Sequence, residues 1–218
     1  MDLTASEKKV LNGISFNTEE IESGNLRESD AALLTEMRAV GKYLIEKYPN
    51  FHFEITGCEP KSGTTRTYSE WYFKSAEIDR ESAFIAMSEE AGDYYKIRDA
   101  FFGQLIREPI TEKLLSILNN ANLPVLNIEV SFWEYLGEEY GEEISPEKVL
   151  TGEIDAGNDF KIFLDDSKLV DKDYQAIMEK IKTCLQANNI SGQVYLVILS
   201  GENADAARDR VFSDSILL

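Results

Sequence analysis

The chain carries one histidine, His52, and two cysteines, Cys58 and Cys184. A Ser-His-Asp or Cys-His arrangement would have to use His52, because such nucleophiles need an imidazole as their base. In Phe51-His52-Phe53-Glu54-Ile55-Thr56 apolar and polar residues alternate. That spacing puts His52 on the polar face of a strand, as a solvated side chain. Zinc needs Cys and His at close, repeated spacing, and these three residues cannot supply it. Cys184 falls on the stripe of a predicted helix, three residues after Ile181, and reads as a buried thiol. Cys58 ends a strand beside a loop, and a Cys58–Cys184 disulfide would form only in an oxidising compartment.

Other chemistry is equally unsupported by spacing. There is no Gly-rich phosphate loop, no Gly-x-Gly-x-x-Gly fingerprint and no Gly-x-Ser-x-Gly elbow. Asp155-Ala156-Gly157-Asn158-Asp159 has the residue types of a calcium loop without its Asp-x-Asp-x-Asp-Gly spacing, and reads as a solvated acidic loop. No cofactor and no metal is expected. A hydrolase built on two scattered carboxylates stays open as an alternative, since 40 Asp and Glu residues offer many pairs.

The net charge of -18 over 218 residues excludes further classes. A nucleic-acid binder needs a basic stripe, and the longest Lys/Arg cluster is Lys8-Lys9. Anionic membrane surfaces would repel the chain. No apolar run is long enough to span a bilayer, and the start, Met1-Asp2-Leu3-Thr4-Ala5-Ser6-Glu7, lacks the regions of a signal peptide. The protein is therefore expected in the cytosol as the sequence stands, or outside the cell or lipid-anchored if a leader precedes it. The charge is uneven. Residues 136–159 hold 8 acidic side chains against one basic. Trp133, just before them, shares a strand face with Asn127, Glu129 and Ser131, opposite the apolar set Leu126, Ile128, Val130 and Phe132. It reads as covered by a second layer or as a recognition aromatic. Trp133, Glu138, Glu139, Glu142 and Glu143 are the candidate partner-binding residues.

These residues need elements to position them. Residues 1–29 are a polar leader or a strap on the body. Asp30 can cap a helix to Tyr48, striped by Leu34, Met37, Gly41, Leu44, Ile45 and Tyr48 and stopped by Pro49. Strands follow at Phe51–Thr56, Tyr68–Lys74 and Ser82–Met87, an antiparallel meander. Asp93 can cap a second helix, with Tyr94, Ile97, Phe101 and Leu105 on one face. Pro109 breaks or kinks it, and Ile110, Leu114, Ile117 and Leu118 continue the stripe. Strands at Leu126–Trp133 and Phe160–Leu164, a helix from Asp171 to Leu185 and a central strand Val194–Leu199 complete the pattern. The tail 201–218 adds a helical turn or two. Each helix buries its stripe on the neighbouring strand. The result is an α+β fold, an antiparallel or mixed sheet with helices mainly on one face, read as one sheet throughout. Residues 30–218 form one domain, or two lobes, 30–135 and 145–218, joined by the acidic connector.

The order Lys42-Tyr43-Leu44-x-x-Lys47-Tyr48, then an aromatic strand Trp71-Tyr72-Phe73, then Asp93-Tyr94-Tyr95 resembles uncharacterised small α+β proteins of Gram-positive bacteria, many of them described as lipoproteins of unknown function. The likeness spans residues 33–200 in layout. It implies a non-enzymatic module and carries over no functional residue. The chain departs from it in showing no signal peptide and no lipid-anchored cysteine near its start.

The expected function is a non-catalytic bacterial interaction protein with a protein partner of basic surface. An acidic, immunity-type inhibitor of a basic toxin or nuclease is the narrower alternative.

Overall fold

The computed structural model describes residues 2–218. It is an α+β fold with two four-stranded sheets, where the sequence reads as one. The chain divides into two compact units. One holds the residues up to Phe102 together with Tyr135–Glu143, the other Gly103–Glu134 together with Ile144–Leu218.

The first unit starts with three helices, α1 (Ala5–Ile14), α2 (Thr18–Ser23) and α3 (Glu28–Lys47). A capping box starts α1. The Thr4 hydroxyl accepts from the Glu7 amide, and the Glu7 carboxylate accepts from the Thr4 amide at 2.7 Å. Glu7 also pairs with Arg38 at 2.7 Å, clipping α1 to α3, while Val10, Leu11 and Ile21 are buried. The buried residues of α3 are Asp30, Leu34, Glu36, Met37, Val40, Leu44 and Lys47, with Tyr48 buried just after it; Ile45, read as part of the stripe, is exposed.

Strands β1 (Phe53–Glu59), β2 (Tyr68–Ser75), β3 (Phe84–Ala91) and β4 (Tyr94–Asp99) form an antiparallel sheet in chain order. Ser69, Trp71 and Phe73 of β2 alternate inward and pair with Ser88, Ala86 and Phe84 of β3. The opposite face stays half-exposed, as one-sided antiparallel sheets do. Phe101 is the hub of the aromatic core. Its ring lies 4.9 Å from Tyr48, 5.0 Å from Phe51 and Phe84, and 5.1 Å from Phe53, in edge-on geometries that aromatic quadrupoles favour.

Residues 94–99, expected to open a helix, are a strand. The helix α4 (Phe102–Asn120) begins only after it and runs through Pro109. In the second unit α4 precedes β5 (Val125–Phe132), followed by the short helix α5 (Pro146–Leu150), β6 (Asn158–Asp165), α6 (Tyr174–Ala187), β7 (Gln193–Leu199) and β8 (Arg210–Leu217). The sheet is mixed. β6 and β7 are parallel with α6 as the crossover, and β5 and β8 flank them antiparallel. β6 and β7 are buried nearly throughout, as central parallel strands require. The tail is β8, an edge strand rather than a helical turn, because it completes the outer ladder of β7.

Candidate functional site

The strongest polar constellation lies within the first unit and was not read from sequence. Lys47 ends α3 and Asp99 ends β4; their side chains are buried and 2.7 Å apart. The Lys47 ammonium donates to Asp99 Oδ2, to the Leu136 carbonyl at 2.8 Å and to the Tyr43 hydroxyl at 3.0 Å. That uses all three of its protons. Asp99 Oδ2 also accepts from the Tyr43 hydroxyl at 2.8 Å. Its Oδ1 accepts from the Tyr48 hydroxyl at 3.0 Å and from the Phe101 amide at 2.7 Å.

Burial dominates the electrostatics here. It lowers the Lys47 ammonium below its ordinary value, against the pull of Asp99. It raises both tyrosine hydroxyls well above theirs, with the Asp99 charge acting in the same direction.

This node fastens the segment 135–143 to the first unit. Asp99 and Leu136 exchange both backbone hydrogen bonds at 3.1 Å, a one-residue antiparallel bridge. Farther along, Glu142 accepts from the Asn50 amide at 2.8 Å and its side chain at 2.6 Å. Between these two anchors Glu138 and Glu139 are exposed, as is Glu143 after the second. None of the three has an ion-pair partner among the described residues. An open groove of about 620 Å³ lies beside the node. It runs between α3, which supplies Thr35, Ala39 and Glu46, and β4, which supplies Tyr95 and Ile97, with Glu138 at its rim.

Of the sequence-derived candidates, Glu138, Glu139, Glu142 and Glu143 therefore share one segment of the first unit, and Glu142 spends its carboxylate on holding that segment. Trp133 belongs to the second unit, in the turn after β5. The residue is 70% exposed and its amide donates to the Gly157 carbonyl at 3.0 Å. His52 is exposed and 2.6 Å from Glu77. Cys58 and Cys184 are free thiols, and burial raises the Cys58 thiol above its ordinary value. Among the described residues no three His, Cys, Asp or Glu side chains gather to hold a metal ion, and no helix is long and apolar enough to cross a membrane. The residues of the acidic loop make local bonds. Asp155 accepts from the Gly157 amide, and Asp159 accepts from the Ser131 hydroxyl.

Lys47 carried one legible signal, its place three positions after Leu44, beside the apolar stripe of α3. Asp99 carried none, since its partner Leu136 is remote in sequence.

These features define an α+β protein with one antiparallel and one mixed sheet. No family model and no curated protein matches the sequence. Among solved structures, the chain is similar to a DUF5037 family protein from Ruminococcus gnavus ATCC 29149 at 15% identity, over 74% of each chain, with a TM-score of 0.36. A superposition that loose carries no argument about role.

Proposed function

We propose that this protein works by binding rather than catalysis, and that it docks a basic protein partner on the acidic segment 135–143. The supporting observation is preorganisation. A buried ion pair and a carboxylate clamp hold the two ends of a short loop, on which Glu138, Glu139 and Glu143 are exposed without an ion-pair partner among the described residues. A loop held at both ends loses little backbone freedom when a partner arrives, and its charges steer the approach. The Lys47 ammonium gives all three of its protons to partners within the chain and has none left for a substrate.

The test is capture at low salt with the full chain and with the variant E138Q/E139Q/E143Q. The expected partner is basic, is released by about 0.5 M salt as surface charges are screened, and is lost by the variant while its melting temperature holds. Capture indifferent to the three substitutions would reject the reading.

A further inference from the structure

The groove beside the acidic segment has a strand edge for one wall. β4 is the outermost strand of its sheet, and among the described residues only Asp99 on its outer edge is paired, through Leu136. Alternate residues of a strand point their amide and carbonyl to the same side. Ile97 and Tyr95 therefore face the same open edge as Asp99. The chain does not cover them, because after Leu136 it turns, the Tyr140 amide donating to the Gly137 carbonyl at 3.3 Å. Among the described residues no backbone partner meets Tyr95 or Ile97 on that side.

We infer that the β4 edge takes up an extended, lysine-bearing segment of the partner as an added antiparallel strand, continuing the pairing that Leu136 begins. This rests on the binding reading above and names the mode. Strand addition draws affinity from main-chain hydrogen bonds and specificity from alternate side chains. Here the alternation is set by charge. Occupant residues opposite Tyr95 and Ile97 point into the groove, where Asp93 and Glu138 are unpaired and Glu46 is shared with Lys42 at 3.7 Å. Lysine suits these positions, its stem lying along Ala39 and its head reaching the carboxylates. Occupant residues opposite Lys96 and Arg98 point to the other face, where a neutral polar residue such as threonine fits.

The probe is the capped hexapeptide Lys-Thr-Lys-Thr-Lys-Thr, titrated into the isotope-labelled full chain. Amide exchange at Tyr95 and Ile97 should slow by about fivefold or more at saturation. Methylating the peptide amides that face β4 should weaken binding by about tenfold or more, since the ladder bonds are lost. Tyr95→Pro, which removes an outward N–H and leaves the β3 ladder intact, should do the same without a loss of fold. Equal binding of the methylated peptide would show capture by charge alone and overturn the proposal. So would the absence of binding at about 1 mM peptide, or protection of Tyr95 and Ile97 by dimerisation without peptide. A basic partner captured through Glu138, Glu139 and Glu143 that the peptide neither mimics nor displaces would sink the edge proposal and leave the acidic-segment reading standing. Peptide protection of Tyr95 with capture indifferent to the glutamates would do the reverse.

Discussion

The Lys47 ammonium and the Asp99 carboxylate face each other at 2.7 Å with neither side chain more than 1% exposed. Taking both charges out of water costs several kcal/mol each, so the pair is only as good as the bonds around it. The bonds are unequally shared. Asp99 keeps three neutral donors if the amine is removed, namely the Tyr43 and Tyr48 hydroxyls and the Phe101 amide. Lys47 keeps only a carbonyl and a hydroxyl if the carboxylate is removed. Asp99→Asn should therefore destabilise by about 3–5 kcal/mol, the cost of an uncompensated buried charge. Lys47→Met should cost clearly less. Urea unfolding of the two variants decides it, and equal losses would contradict the asymmetry.

The same node shapes the alkaline limb of stability. Folding raises the Tyr43 and Tyr48 hydroxyls, so the folded state holds their protons more tightly than the unfolded chain does. Their contribution is complete below about pH 10 and is lost as pH rises beyond it. Folding lowers the Lys47 ammonium, so between its lowered value and about 10.4 the unfolded chain binds the extra proton and stability rises with pH. Above about pH 10.5 Lys47 no longer contributes, and within the node only Tyr43 and Tyr48 remain. Each then removes about 1.4 kcal/mol per pH unit. Tyr48→Phe should flatten the descent by about that amount, measured by urea unfolding between about pH 10.5 and 11.5. An unchanged slope would mean that Tyr48 ionises in the folded state.

Asp99 also explains what was hard to read. Tyr95, Ile97 and Asp99 alternate on the α3 side of β4, but an acid in the buried row broke the apolar period. Tyr94, Ile97, Phe101 and Leu105 then mimicked a helical stripe. The strands with intact alternation, such as Ile128–Val130 and Trp71–Phe73, were legible. So was the α+β class, because periodicity survives wherever burial is apolar. The tail was hidden for another reason. As an exposed edge strand β8 has little hydrophobic pattern, and its ladder with β7 is a property of the fold. The acidic segment was visible as charge, whereas the bond from Lys47 that fixes it crosses most of the first unit's sequence.

The turn into β7 depends on a glycine. Gly192 has φ +144°, a region that side chains rarely enter. A Cβ there would lie 2.7 Å from both Asn158 Cβ and the Asn158 carbonyl oxygen. Neither can yield. Asn158 starts β6 and donates to the carbonyls of Val149 at 2.6 Å and Ser191 at 2.9 Å, so moving it breaks those bonds and the β6–β7 register together. Gly192→Ala should cost at least about 3 kcal/mol, combining backbone strain with overpacking. Gly13 gives the contrast, since it lies in α1 with nothing within 4 Å of its would-be Cβ. Gly13→Ala should gain about 0.5–1 kcal/mol from helix propensity. Thermal unfolding of the two variants should move in opposite directions, and a tolerated Gly192→Ala would mean that the β6–β7 junction is looser than its geometry implies.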